Sequence, residues 1–186
     1  MASKASKKAA KSSIDTSLFK RLAPRMMRDL MRDFSPLADF QAAGVVGNGG
    51  GESGGFTQIQ ELKPTVPGSK GGLGFFQWTG MGSAKKPGRR RVFEKLLKEM
   101  NRNPDRYDAN YEMPRRELKG PEKATIPKLR KAKNIDDATK IFMVSFERPG
   151  IPNYEGRVTW SNRALQAYQA EEKKIVKDPA GITSQT

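Results

Sequence analysis

The 186-residue sequence contains no cysteine and no histidine. Without cysteine, disulfides and thiolate chemistry are excluded and the redox compartment is left open. Without histidine there are no serine–histidine triads, no cysteine–histidine nucleophiles and none of the usual zinc ligand sets. Carboxylate, amide, hydroxyl, lysine and arginine remain as the reactive groups, and no metal or cofactor is expected. Hydrophobic residues make up only 35% of the chain, so part of its length is expected to be solvated. No run approaches the roughly 18 apolar residues of a membrane span. The basic N-terminus is not followed by an apolar segment, so no secretory signal is expected. No glycine run leads into Gly-Lys-Ser/Thr, which excludes a phosphate-binding loop.

Positive charge is abundant: 35 Lys+Arg against 20 Asp+Glu give a formal net charge of +15. Such a surface favours polyanions, whether nucleic acid, anionic lipid or acidic cell-wall polymers. The length suits one domain with a single core. We expect a basic N-terminal arm over residues 1–16, a catalytic domain over 17–176 and a C-terminal tail over 177–186. The Lys/Ser/Ala arm is either a solubilising tail or a segment that orders on a partner.

Apolar positions Leu18, Leu22, Met26, Met27, Leu30 and Phe34 recur at helical spacing, with Pro24 dividing that helix or opening its longer part. A second helix is expected with Pro36 at its first position, capped by Asp33 or Ser35 and running to about Glu52. Residues 57–71 predict a loop or short hairpin, Gly72–Trp78 a strand or buried turn, and Gly80–Gly88 another loop. Arg89–Met100 is an amphipathic helix with Val92, Phe93, Leu96, Leu97 and Met100 on one face. Its leading arginines are expected on an exposed helix face. Prolines 104, 114 and 121 predict an irregular excursion between Asn101 and Lys123. A short helix from about Thr125, another opened by Asp136–Asp137 and a last one over about Arg157–Lys174 complete the chain, the last burying Trp160, Ala164, Leu165 and Tyr168.

The chemistry centres on Phe40–Trp78, where Gly49–Gly51 precede Glu52 and Gly54–Gly55 follow it. Three glycines in a helix cost roughly 1 kcal/mol each relative to alanine. They persist where a neighbour approaches too closely for a side chain, or because the segment is a flexible loop. Gly54–Gly55 suit a helix stop, placing Glu52 in a last turn. The partial negative charge there and apolar neighbours such as Phe56 or Phe76 disfavour the anion, as a general acid for a glycosidic oxygen requires. Glu61 is the nearest second carboxylate for activating water, with a solvated loop glutamate as its plainer role. Thr57 and Thr79 are hydroxyl alternatives for holding that water. Trp78 either stacks on a sugar face or anchors the core. Glu147–Arg148 is expected to be an ion pair fixing a helix end, and Trp160 a core residue.

QAAGVVGN…ESGGF, then GLGFFQWTG, the helix GRRRVFEKLL, DDATKIFMVSFERPG and EGRVTWSNRAL together resemble the phage tail lysozyme family, over about Met26 to Tyr168. The chain differs from that pattern in its glycines at 49–51. The resemblance implies a lysozyme-like, mainly α (α+β) domain with a small loop/hairpin region beside the cleft. It also implies cleavage of the glycan strands of bacterial peptidoglycan, with Glu52 as general acid. Gln77 and its neighbours would form the wall gripping an N-acetylated sugar, a substrate-contacting set of Ser53, Phe76, Gln77, Trp78 and Thr79. The Glu–Ser then Gly-Leu-x-x-x-Gln order is also similar to lytic transglycosylases, whose glutamate acts as acid and then base without a second carboxylate. The expected setting is a phage virion, tail or internal, or an endolysin released from the host cytoplasm, with the arm contacting other virion proteins or DNA. The alternative from another class is a non-catalytic basic virion protein that binds nucleic acid, although its basic residues are dispersed and carry no recognisable nucleic-acid motif.

Overall fold

A computed structural model describes residues 16–64, 66–150 and 152–177. The expected arm and tail lie outside them except for Thr16 and Lys177. Seven α-helices follow in order: α1 Ser17–Asp33, α2 Asp39–Glu52, α3 Arg89–Met100, α4 Tyr107–Lys119, α5 Thr125–Leu129, α6 Ile135–Phe142 and α7 Tyr154–Lys177. A π-helical turn, Met143–Glu147, prolongs α6. The domain is mainly helical, and no strand occurs among the described residues. The region expected as loop and hairpin, between α2 and α3, is held by isolated antiparallel bridges, Gln60–Leu73, Leu73–Trp78 and Gly82–Pro87.

Helix α2 is the element the others pack around. Every residue from Gln41 to Gly50 is buried, as expected of a helix with small or apolar residues on all sides. Its most extensive packing is on α7, then on α6 and α1. Small residues bring the partners close: a Cβ at Gly44 would lie 2.8 Å from the α6 backbone at Ala138. The inward-facing Asn48 is satisfied locally and across the interface, its Nδ2 donating to the carbonyls of Gly44 (2.8 Å) and Thr139 (3.1 Å). Close packing thus decides between the two explanations of the glycine run, and the segment is helical through Glu52.

Several boundaries differ from expectation. Helix α2 begins at Asp39 and not at Pro36, because Gln41 organises its start: Oε1 accepts from the Ala38 N–H at 2.9 Å. Pro24 lies inside a continuous α1 and is buried there. The stretch expected to be irregular contains α4, with Pro114 inside it. Tertiary contacts override local propensity at this helix. Asn110 accepts from the Phe75 N–H at 2.7 Å and donates to the Pro104 and Arg106 carbonyls at 2.7 and 2.8 Å. Tyr111 donates to Asp33 on α1 at 2.9 Å.

The arginines that open α3 also depart from an exposed face. Arg90 is buried, and its guanidinium donates to the Gly71 carbonyl at 2.8 Å and to Gln60 Oε1 at 2.9 Å, pinning the 57–71 loop. Arg89 forks onto Glu117 of α4 at 2.6 and 2.8 Å, while the Trp78 indole N–H donates to the same carboxylate at 3.0 Å. Glu117 is buried, so stripping it of its cation should be expensive. Arg89→Met is expected to destabilise the fold by about 3 kcal/mol, measured by chemical denaturation. A loss below about 1 kcal/mol would show that the pair behaves as an exposed one.

Candidate active site

Glu52 is the last residue of α2, and the chain turns away from it at once. The Ser53 hydroxyl donates to the Gly49 carbonyl at 2.8 Å and accepts from the Phe56 N–H at 3.1 Å, closing the helix end. Ser53 is fully buried, so its expected contact with substrate is corrected to an internal cap. Gly55 continues the turn at φ +76°, and a Cβ there would meet the Trp160 ring at 2.4 Å. Opposite Glu52 stands Arg157 of α7, buried against the glycines, with its Cγ 3.0 Å from where a Gly51 Cβ would be. Arg157 Nη2 donates to Glu52 Oε1, and Nη1 to Asn48 Oδ1 at 3.0 Å. The expected setting of helix end and apolar neighbours therefore omits a cation, which the structure supplies and Asn48 orients.

Two cavities meet at this carboxylate. One, of about 350 Å³, lies between Glu52, Arg157, Arg89 and Glu147. The other, of about 830 Å³, runs along Thr57–Lys63. Glu52, Gln77 and Thr79 line both, so the two cavities adjoin at Glu52 and together form the candidate groove. Gln77, at φ +47°, donates from Nε2 to the carbonyls of Gln58 (2.7 Å) and Gly74 (2.8 Å), which makes that wall rigid. Thr79 is exposed beside it; Thr57 is also exposed and donates to the Gly54 carbonyl at 2.8 Å. Glu61 reaches the larger cavity, where its Oε2 accepts from the Gly72 N–H at 2.9 Å and braces the turn.

Of the two roles open to Trp78 the structure shows the core anchor, and Phe76, expected to contact substrate, is likewise buried, though both border the smaller cavity. Trp78 is 1% exposed, with its ring 4.4 Å from that of Phe93, and Phe76 is 2% exposed. Their side chains form the closed wall behind the groove, since the aromatic cluster excludes them from solvent.

Sequence reasoning missed two residues. Arg157 carries no local signal, because its partner lies far away in the chain. Glu147 was expected to pair with Arg148, but Arg148 adopts φ +51° and turns its guanidinium to Glu122 at 2.7 and 2.9 Å. Glu147 instead lines the smaller cavity with Glu52, and its Oε1 is buried without a hydrogen-bond partner. Burial, then the charge of Glu52, pushes the Glu147 carboxyl up to about 8 against the pull of Arg89 and Arg157. At neutral pH the groove thus holds one carboxyl that keeps its proton and one that faces a guanidinium. A separate depression of about 690 Å³ at the end of α3 is lined by Lys98, Arg102 and Arg106 among others, with no carboxylate. It offers charge but no acid.

A family model described as phage tail lysozyme matches residues 34–168, a span that includes every residue of the groove. No curated protein and no solved structure matches the chain.

Proposed function

The chain belongs to the phage tail lysozyme family, and on that premise we propose that it cleaves the glycan strand of bacterial peptidoglycan between N-acetylated amino sugars, with Glu52 as general acid. The observation that carries this is the position of Glu52 between two cavities, both of which it lines together with Gln77 and Thr79. A polymer laid along such a groove extends to both sides of the acid, as an internal glycosidic bond requires. Glu52 donates its proton to the bridging oxygen, and the C1–O bond breaks with its electron pair going to that oxygen. The positive charge left on the sugar ring is offset by the carboxylate. Arg157, held by Asn48, keeps that carboxylate aimed, and the wall at Gln77 and Thr79 fixes the sugar beside it. The net charge of +15 draws the protein to acidic wall polymers. In the same reading the protein works for the phage, carried in the virion or released at lysis, and residues 1–16 dock on virion proteins or DNA.

The test is mass spectrometry of products from purified peptidoglycan. Soluble muropeptides with reducing ends identify a hydrolase and anhydro ends a transglycosylase. Intact strands overturn the proposal, and salt-sensitive DNA binding in their place would favour the non-catalytic virion protein.

A further inference from the structure

We propose that Glu147 and Glu52 act as one proton-sharing pair, in which Glu147 supplies the proton that Glu52 delivers to the glycosidic oxygen. This rests on the reading of the groove as a glycan-cleaving site. Charges at the groove do not balance. Glu52 from α2, Glu117 from α4 and Glu147 from the π-helical turn converge here with Arg89 from α3 and Arg157 from α7. Arg89 is committed to Glu117 by two hydrogen bonds; Arg157 gives Nη2 to Glu52 and Nη1 to Asn48, and its buried Nε–H is unpartnered. Arg148, the neighbour in sequence, is committed to Glu122. Three carboxylates thus share two guanidiniums, and Glu147 is left over. Its Oε1 is buried and has no hydrogen-bond partner. Ionising a half-buried carboxyl whose buried oxygen has no hydrogen-bond donor is costly, whereas the neutral acid is tolerated.

The pair therefore holds one proton at neutral pH, and it rests on Glu147, while Glu52 accepts from Arg157. Both side chains line the same 350 Å³ cavity, which has room for water to carry the proton between them. The reverse arrangement, with Glu52 protonated and Glu147 ionised, places the Glu147 charge where Arg89 and Arg157 favour it. From that state Glu52 protonates the leaving oxygen. The proton released when water or a sugar hydroxyl attacks C1 returns to Glu52, and the pair again carries one. Glu147 acts through Glu52 and is a positioning residue.

The test compares wild type with Glu147→Gln on purified peptidoglycan from pH 5 to pH 9. Wild-type cleavage should persist to about pH 8 and fall above it. The variant should lose about 10-fold or more at pH 7, and the gap should narrow toward pH 5, where solvent supplies the proton. Superimposable profiles would overturn the proposal. Thermal melts read the location of the proton without relying on activity. A carboxyl raised in the fold stabilises fully below its unfolded value, and that contribution is lost as pH rises through about 8. Wild type should therefore lose ground to the variant between pH 5 and pH 9, by about 3 °C or more in Tm. Equal Tm values at pH 5 confirm that the variant folds; a constant difference across the range overturns the placement of the proton on Glu147. If wild type leaves the strands intact at every pH, the cleavage reading falls and takes the proton's destination with it. The melts would then still decide whether Glu147 holds the proton.

Discussion

Glu52→Gln is expected to slow glycan cleavage by about 10²–10⁴-fold, with little change in stability. Glutamine keeps the shape of the side chain and can still accept from Arg157 Nη2, but it has no proton to give. Arg157 itself stays anchored by Asn48 at 3.0 Å, so the guanidinium is not released into the cavity. The carboxylate is 24% exposed and Arg157 only 5%; because glutamine keeps a hydrogen bond to that buried guanidinium, the loss in folding is expected to stay at about 1 kcal/mol. Loss of rate with an unchanged melting curve would therefore isolate the chemical role from a structural one. Release of soluble muropeptides measures the rate. A variant within about 3-fold of wild type, against the 10²-fold floor expected for a lost general acid, would move the chemistry away from Glu52.

The largest effect on stability is expected from Gly47→Ala. A Cβ at this position would lie 2.0 Å from Ser161 Oγ, 2.3 Å from its backbone nitrogen and 2.4 Å from its Cα. Two of those atoms are main chain of α7, so no rotamer change relieves the overlap. The serine hydroxyl is also fixed: it donates to the Arg157 carbonyl at 2.9 Å and accepts from Thr139 Oγ1 at 2.8 Å. Helices α2 and α7 must then separate, and the apolar contact between them is lost together. We expect a cost above about 4 kcal/mol, at the extreme of single substitutions, or no native protein at all. Gly150→Ala is the comparison, since nothing lies within 4 Å of its Cβ position, and it should stay within about 0.5 kcal/mol of wild type. Equilibrium denaturation measures both. A Gly47→Ala protein that loses less than about 1 kcal/mol would show that α2 and α7 do not approach so closely. The same substitution should also impair cleavage in any protein that survives, because α7 carries Arg157.

These two residues divide the molecule into what was legible in the chain and what was not. The boundaries of α3 at Arg89 and Met100 coincide with the expectation, because an amphipathic period is written in consecutive residues and needs no knowledge of the partner. Glu52 stood out as a candidate for a similar reason: the glycines before and after it describe either a closely approached helix end or a flexible loop, and the first is what folds. The mainly helical class followed from the same periodicities. By contrast, the proline-bearing α4 was invisible, since Asn110, Tyr111 and Glu117 stabilise it through residues distant in sequence.

The sequence by itself determined the available chemistry and the helical class and singled out Glu52 as the candidate acid, because composition and period are local properties. Tertiary structure alone decided which charges meet. Arg148 lies next to Glu147 in the chain yet pairs with Glu122, and Arg157 crosses from α7 to reach Glu52. Coulomb energy depends on distance through space and on exclusion of water, and neither is encoded in the order of neighbours. For the same reason only the folded chain could leave Glu147 Oε1 without a hydrogen-bond donor, in a cavity shared with Glu52.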